Sequence, residues 1–173
     1  MDAQGSSIAI VGGADSATVQ SLFREAAAHW RTSGLDVVGM IEETHGLSGR
    51  VCNAGVLRDV VSGKPFPIFL ETLPVGTSCH IDAQGAELAS RWLIEQVKAS
   101  DVVLVSKFGK LEAGGAGLIA VFEAAKSMGK CLLTTVSDKH KDAWEAFAPG
   151  ATVLPATVSA IEAWVDSTRA SRM

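Results

Sequence analysis

Short apolar segments rich in β-branched residues alternate with amphipathic segments along most of this chain. Continuous apolar runs are typical of strands buried on both faces, whereas apolar residues recurring every three or four positions are typical of helices. The predicted strands are 7–13, 35–41, 101–105, 131–136 and 151–155, and the predicted helices begin at Asp15 or Ser16, 84, 118, 141 and 158. This alternation predicts an α/β fold with a doubly wound, mostly parallel sheet and helices on both faces.

The alternation is interrupted between residues 44 and 80. Glycines and prolines divide this region into short segments such as VLRDVV (56–61) and PIFLETL (67–73). Short segments bounded by turn residues are typical of hairpin strands added at the edge of a sheet. We therefore predict one domain spanning residues 1–173, with a β-hairpin insertion at 44–80.

The large apolar residues of the predicted helices are expected to face the core. All four tryptophans, Trp30, Trp92, Trp144 and Trp164, fall on predicted helices. On the helix at 84–99 the inward candidates are Leu88, Trp92 and Val97. Core packing is the ordinary use of such residues, so we assign them no functional role.

Composition and charge narrow the class of protein. The chain has 173 residues, 47% of them hydrophobic and 20% charged, which is typical of a globular domain with a sizeable core. A net charge of −4 argues against a nucleic-acid partner, because the sequence holds no basic stripe. It also has no apolar run of the roughly 20 residues that a membrane span needs. The polar start MDAQGSS does not resemble a signal peptide, so we expect a cytoplasmic protein without membrane contact.

Three cysteines stand far apart, at Cys52, Cys79 and Cys131. An odd count at long spacings fits neither a disulfide framework nor a zinc site of the CxxC type. We expect reduced thiols and predict no metal site.

The first candidate site is the turn after the first strand, which comprises Gly12, Gly13, Ala14, Asp15 and Ser16. A strand, a glycine turn and a capped helix present backbone N–H groups and a helix N-terminus to an anion. The phosphate-binding loop G-x-x-x-x-G-K-[ST] would require a glycine, a lysine and a hydroxyl where Ala17, Thr18 and Val19 stand. The turn therefore lacks the lysine and the metal-binding hydroxyl of hydrolases. It remains suited to a smaller anion, or it is a plain turn without a ligand.

The second candidate site is the segment GTSCHID at 76–82. Its polar side chains Thr77, Ser78, Cys79 and His80 precede a helix that Asp82 can cap. Hydroxyls and amides at a helix N-terminus suit an oxyanion, and a capped turn is the alternative. A Cys–His nucleophile is disfavoured, because adjacent residues rarely point at each other.

The third candidate site is VSKFGKLEAGGAG at 105–117. Lys107 and Lys110 follow a buried strand, at the place where nucleotide hydrolases hold acids for a metal ion. Two ammonium groups can clamp an anion, and the glycines 114, 115 and 117 are more than a solvated loop needs. Ordinary solvated lysines are the alternative.

Four segments resemble a bacterial family of domains of unknown function, number 2478, whose members are described as encoded near molybdate transport genes. They are CNAGVLRDVVSG (52–63), GTSCHIDAQGAELA (76–89), VSKFGKLEAGGAG (105–117) and AWEAFAPG (143–150), and the resemblance spans nearly the whole chain. It implies a role in handling molybdate or tungstate. The family's C-R-L-D stretch reads CHID here, so His80 replaces an arginine.

The order of elements is also similar to that of the small nucleoside-triphosphatases of the P-loop superfamily. Relative to their motif, Ser106 and Lys107 replace an Asp-Glu pair, while Gly109, Lys110 and Glu112 correspond to the part that is kept. The resemblance implies a degenerate P-loop fold that was retained after hydrolysis was lost.

The leading hypothesis is a non-catalytic module that binds a small oxyanion or a nucleotide phosphate. Molybdate, tungstate and ATP are the candidate ligands. One alternative is a nucleoside triphosphatase or phosphotransferase with rearranged catalytic residues and Glu112 as the base. Another is an assembly protein that forms a homo-oligomer through the hairpin region between Thr44 and Leu73.

Overall fold

The computed structural model describes residues 7–44, 54–68 and 82–172, which form a mostly parallel seven-stranded sheet covered by helices. The strands are β1 (Ile8–Gly12), β2 (Val37–Thr44), β3 (Ala54–Asp59), β4 (Pro65–Pro67), β5 (Val102–Val105), β6 (Cys131–Thr134) and β7 (Thr152–Pro155). Their order in the sheet is β4-β3-β2-β5-β6-β1-β7. The β2–β3 and β3–β4 pairings at one edge are antiparallel, and the pairings among β2, β5, β6, β1 and β7 are parallel. The predicted fold class is confirmed.

Helices cover both faces of the sheet. They are α1 (Ser16–Thr32), α2 (Ala83–Val97), the short α3 (Lys110–Ala113), α4 (Ile119–Ser127), α5 (Lys141–Phe147) and α6 (Val158–Ala170). Apolar residues of α1 and α6 share one core cluster, and those of α2, α4 and α5 share the other. None of the described helices combines the length and apolar character needed to cross a membrane.

The central strand β5 shows why the sheet is buried on both sides. All four of its residues are buried, with Val103 and Val105 in one core cluster and Val102 and Leu104 in the other. Because successive side chains of a strand point to opposite faces, a continuous apolar run can serve both layers. The same reasoning predicted this strand from sequence.

The predicted inner face of α2 is partly wrong. Val97 is buried, but Leu88 is 57% exposed and Trp92 is 39% exposed. The helix instead packs its smaller residues Ala86 and Ala89 together with Leu93 against the sheet, which turns the neighbouring stripe toward solvent. Trp30 and Trp144 are buried as predicted, and Trp164 is half-buried.

The predicted edge hairpin is present in the described part of the insertion. Strand β2 extends to Thr44, three residues beyond the predicted end, because it pairs with β3 as well as with β5. Strand β4 begins and ends with prolines, which lack the N–H that a further strand would bind. Residues 45–53 and 69–81 lie outside the described residues, so the boundaries 44–80 and the single domain stay predictions.

Candidate functional site

The sheet has a topological switch point beside β1. The chain leaves β1 through α1 toward β2 on one face, and it leaves β6 through α5 toward β7 on the other. In open α/β sheets, such a point opens a crevice outside the carboxyl ends of the strands. A cleft of about 1310 Å³ lies there, between the turn after β1, the segment after β6 and the end of β7.

The turn after β1 lines this cleft over its whole length, from Gly12 to Ser16. Gly13 has a φ of +83°, and a Cβ added there would meet nothing within 4 Å. The turn therefore bends sharply beside open space, where its backbone can approach a ligand.

Asp15 caps the helix that follows this turn. Its Oδ1 accepts the N–H of Thr18 at 2.7 Å, and this backbone hydrogen bond, together with the Thr18 side chain, lowers the pKa of the Asp15 carboxyl. A carboxylate at a helix N-terminus satisfies an amide and interacts favourably with the helix dipole. It also places a negative charge beside the amides that would face an anion.

The two lysines of the third candidate site have different surroundings. Lys107 is half-buried and lines the cleft together with the turn after β1. It forms no salt bridge with a carboxylate of the described residues. Lys110 is exposed at the first position of α3 and is not among the residues that line the cleft. The structure therefore brings one of these lysines to the turn after β1.

Glu112 holds the loop after β5 together. Its Oε2 accepts the N–H of Gly109 and its Oε1 accepts the N–H of Leu118, each at 3.1 Å. Burial raises the pKa of the Glu112 carboxyl, against the lowering effect of these N–H groups and of the Lys107 charge. Both oxygens are engaged by the loop, and Glu112 does not line the cleft.

The glycines of the loop after β5 have a conformational role. Gly117 has a φ of +61°, and a Cβ there would lie 2.7 Å from Glu112 Oε1 and 2.8 Å from Leu111 Cβ. Gly115 also has a positive φ, of +82°. These glycines let the chain turn from α3 into α4 around the Glu112 carboxylate, so their number has a structural cause.

The segment after β6 forms a third wall of the cleft, which was not predicted from the sequence. Thr135, Ser137 and Lys141 line the cleft, and Lys141 forms a salt bridge of 3.1 Å with Asp138. The Ser137 hydroxyl is hydrogen-bonded to Nδ1 of His140 at 2.5 Å. The signal was the polar run that follows a predicted buried strand, which is the criterion that selected Lys107.

Gln20 is a second missed residue. It is buried on α1, where its Nε2 donates to the carbonyl of Ser106 at 2.9 Å and its Oε1 accepts the N–H of Glu42 at 3.0 Å. Thr135 also donates to the Ser106 carbonyl, at 3.1 Å. These bonds fix the backbone next to Lys107 against α1 and β6. The signal was a polar residue within the apolar face of a predicted helix.

The cleft combines charged and apolar surfaces. The charged residues that line it are Asp15, Lys107, Asp138, Lys141 and Glu145. Trp144 borders the cleft and packs against Phe108, Phe122 and Phe147 in an aromatic cluster. Lys141 is paired with Asp138, whereas Lys107 forms no salt bridge among the described residues and interacts with the Glu112 carboxyl through its charge alone.

The remaining predicted residues lie elsewhere. Thr77, Ser78, Cys79 and His80 are outside the described residues, as is Cys52. Cys131 is a free, buried thiol at the amino end of β6, away from the cleft, and burial raises its pKa. Within 7–44, 54–68 and 82–172, no group of three or more His, Cys, Asp or Glu side chains could hold a metal ion.

Two known proteins are similar to this chain. Over 139 residues it is 31% identical to the molybdenum import ATP-binding protein ModC 2 of Bradyrhizobium diazoefficiens, a match that covers 79% of this chain and 15% of that longer protein. The solution structure of a human cancer-related nucleoside triphosphatase matches with a TM-score of 0.61 over 96% of this chain and 98% of that chain. Its sequence identity of 16% makes this a likeness of fold.

These matches agree with a fold related to the P-loop nucleoside triphosphatases, as the sequence predicted. The family described as protein of unknown function (DUF2478) matches residues 8–164, which is most of the chain. The resemblance found in the four sequence segments is thereby confirmed, and the chain belongs to the DUF2478 family.

Proposed function

We propose that the cleft binds an anionic ligand through a tetrahedral oxyanion group, either the phosphate of a nucleotide or a free molybdate-like ion. The observation that carries this proposal is the meeting of the Gly12–Ser16 turn with Lys107 in one cleft at the switch point. Backbone amides near a helix N-terminus and an ammonium group that forms no salt bridge among the described residues are groups that recognise such an anion.

The proposal favours binding over hydrolysis. Thr18 and Val19 stand where a hydrolase has its phosphate-binding lysine and its metal-binding hydroxyl, so the turn supplies neither group. Glu112, the base suggested by sequence, uses both carboxylate oxygens to hold its own loop. Without these groups, the charge that develops on a transferred phosphoryl group has little stabilisation.

The two relatives supply the two sources of the oxyanion. The human relative is named as a nucleoside triphosphatase, which supports a nucleotide as the ligand. The bacterial relative is named as a molybdenum import ATP-binding protein, which supports either ATP or a part in molybdenum handling. Both ligands present tetrahedral oxygens with negative charge, so one site suits both.

A ligand panel tests the proposal. The protein is titrated calorimetrically at constant ionic strength with ATP, ADP, sulfate, molybdate and tungstate, and thermal unfolding is followed with the same set. A ligand present at 100 times its dissociation constant raises the free energy of unfolding by about 2.7 kcal/mol. Binding of ATP and ADP alone identifies a nucleotide site, and binding of molybdate or tungstate in preference to sulfate identifies a molybdate-like site. Absence of heat and of thermal shift with every ligand contradicts the proposal.

Hydrolysis is the second candidate function, and it is favoured by the likeness to a nucleoside triphosphatase. Phosphate release from ATP and GTP is measured for the natural protein and for Glu112→Gln. We expect both to release phosphate at the rate of the buffer. Release well above that rate, reduced in Glu112→Gln, would establish the enzyme and displace the binding module.

A further inference from the structure

We propose that Ser137 is a direct ligand contact and that His140 sets whether its hydroxyl donates to the anion. This inference rests on the proposed function, because it concerns the same cleft. It predicts that the site binds a tetrahedral oxyanion more tightly when the imidazole of His140 is protonated.

Ser137 and His140 form a hydrogen-bonded pair beside the cleft. Ser137 lines the cleft that Gly13 and Lys107 also line, and its Oγ is hydrogen-bonded to Nδ1 of His140 at 2.5 Å. Ser137 precedes a 3₁₀ turn, Asp138–His140, yet its side chain makes no capping bond to that turn. Among the described residues, the partner of the hydroxyl is therefore the imidazole. His140 itself does not line the cleft.

The hydrogen bond between the serine hydroxyl and the imidazole can run in either direction. A hydroxyl has one O–H donor and two acceptor lone pairs, whereas a neutral imidazole has one nitrogen that donates and one that accepts. If Nδ1 accepts, the Ser137 O–H donates to His140, and the serine oxygen presents only lone pairs to the cleft. If Nδ1 carries a proton, Oγ accepts from it, and the O–H is free to donate to an anion.

Protonation of the His140 imidazole permits only one of these two directions. A protonated imidazole donates from both nitrogens, so the second arrangement becomes the only one that keeps the hydrogen bond. It also adds a positive charge within hydrogen-bond distance of the Ser137 hydroxyl, and hydrogen bonds that involve charged groups are the stronger kind. Histidine is the side chain that commonly serves as a pH switch in proteins, so pH is the variable of the test.

The charged groups around the pair neither duplicate nor cancel this effect. On the same turn and on α5 they are Asp138, Lys139, Lys141, Asp142 and Glu145, and on the other walls of the cleft they are Asp15 and Lys107. The Lys141–Asp138 salt bridge offsets one lysine with one acid. None of these groups can reverse the direction in which the Ser137 hydroxyl points.

The test is the pH dependence of sulfate affinity at constant ionic strength. Sulfate is the probe because its own charge does not change between pH 5.5 and 8, unlike that of phosphate. We expect the dissociation constant of the natural protein to increase on the order of tenfold from pH 5.5 to pH 8, the size of one charge-assisted hydrogen bond. His140→Gln and Ser137→Ala should show the weaker affinity at both ends, with little dependence on pH.

His29→Gln is the matched control. His29 is an exposed histidine on α1 that is paired with Glu162 and does not line the cleft. The control should keep the full pH dependence of the natural protein. Circular dichroism of each variant at both pH values verifies that the fold is retained.

The outcomes separate this inference from the proposed function. If the natural protein binds none of sulfate, molybdate, tungstate and nucleotides at either pH, the proposed function itself fails. If it binds sulfate but His140→Gln keeps the pH dependence, the dependence belongs to other groups and the role of His140 is refuted. If Ser137→Ala binds sulfate as tightly as the natural protein at pH 5.5, Ser137 does not contact the anion.

Discussion

The turn after β1 and the loop after β5 look alike in sequence and differ in structure. Both are rich in glycine, both follow a buried strand, and both depart from the motifs of nucleotide hydrolases. In the turn after β1, Gly13 adopts a positive φ beside open space. In the loop after β5, Gly117 adopts a positive φ against the Glu112 carboxylate. Glycines of positive φ therefore have two settings here, open space beside the cleft in one loop and close packing in the other.

The same difference divides the polar residues of the two loops. Asp15 and its neighbours face the cleft, whereas in the loop after β5 only Lys107 lines it. Glu112 and Gly117 together stabilise the turn that follows Lys107. The loop after β5 thus contributes one charge that faces the cleft, next to a turn held by hydrogen bonds, which is the arrangement that the proposed binding site requires.

The largest expected effect comes from comparing Gly117→Ala with Gly13→Ala. At Gly117 a Cβ collides with Glu112 and Leu111 and also strains the backbone, so we expect a loss of about 2–4 kcal/mol in the free energy of unfolding. At Gly13 only the positive φ is unfavourable, and the loss should be about 1 kcal/mol. Urea unfolding of both variants measures the difference. Equal losses would show that the two loops are not packed differently.

The next effect is that of Glu112→Gln on stability. A protonated carboxyl keeps a lone pair on each oxygen for the two backbone N–H groups, whereas the NH2 of glutamine accepts neither, so at pH 4 the variant should be less stable by about 1–2 kcal/mol. Burial raises the pKa of Glu112 in the folded state, so its contribution is fully present below the unfolded pKa and is lost as the pH rises through the folded pKa. The stability difference should therefore narrow toward pH 7.5.

Thermal unfolding at several pH values tests this prediction for Glu112, with Glu123→Gln as the control. Glu123 is an exposed residue of α4, and its substitution should give a small difference that does not vary with pH. A difference for Glu112→Gln that widens as the pH rises would contradict the prediction. Loss of anion binding in this variant at neutral pH would show that Glu112 has a part in the ligand site.

A smaller effect separates the two lysines of the loop after β5. Lys107→Met should weaken the binding of sulfate or ATP about tenfold, because it removes the ammonium group that lines the cleft. Lys110→Met removes the same charge three positions away, outside the cleft, and should change the affinity less than about twofold. Calorimetric titration compares them. Equal weakening would show that the effect is general electrostatic attraction.

The smallest effect concerns Asp15. Asp15→Asn keeps an oxygen that can accept the Thr18 N–H and removes the negative charge beside the turn. The affinity for sulfate should increase about threefold, since a like charge near the anion is lost. Asp36→Asn, at an exposed position before β2 and outside the cleft, is the control and should leave the affinity unchanged. Weaker binding in Asp15→Asn would show that the carboxylate supports the site.

The sequence predicted the parts of this molecule that depend on local patterns. Apolar runs identified β5 and β6, and polar residues after β5 identified Lys107. The inner face of α2 was predicted wrongly, because small residues such as Ala86 and Ala89 give a weaker apolar signal than Leu88 and Trp92.

Long-range contacts could not be predicted from such patterns. Gln20 binds the Ser106 carbonyl across 86 positions of sequence, and no periodicity reports that contact. The separation of Lys107 from Lys110 depends on where α3 begins, which a four-residue helix does not reveal in its apolar spacing. The part of the cleft at Ser137 could have been predicted from sequence. Ligands bind outside the carboxyl ends of parallel strands, and this applies to the segment after β6 as it does to the segment after β5.

The most direct test of the account is a crystal structure of the protein soaked with tungstate and, separately, with ADP. Tungsten is located by its anomalous scattering, without reference to the fitted protein. The account predicts a tungsten or β-phosphate position within hydrogen-bond distance of the Gly13–Ser16 amides, Lys107 Nζ and Ser137 Oγ. A competing groove of about 340 Å³ lies at the amino ends of β5 and β6 and includes Lys130, Arg169 and Arg172 beside Asp101 and Asp166. Density in that groove, with the cleft empty, would contradict the account.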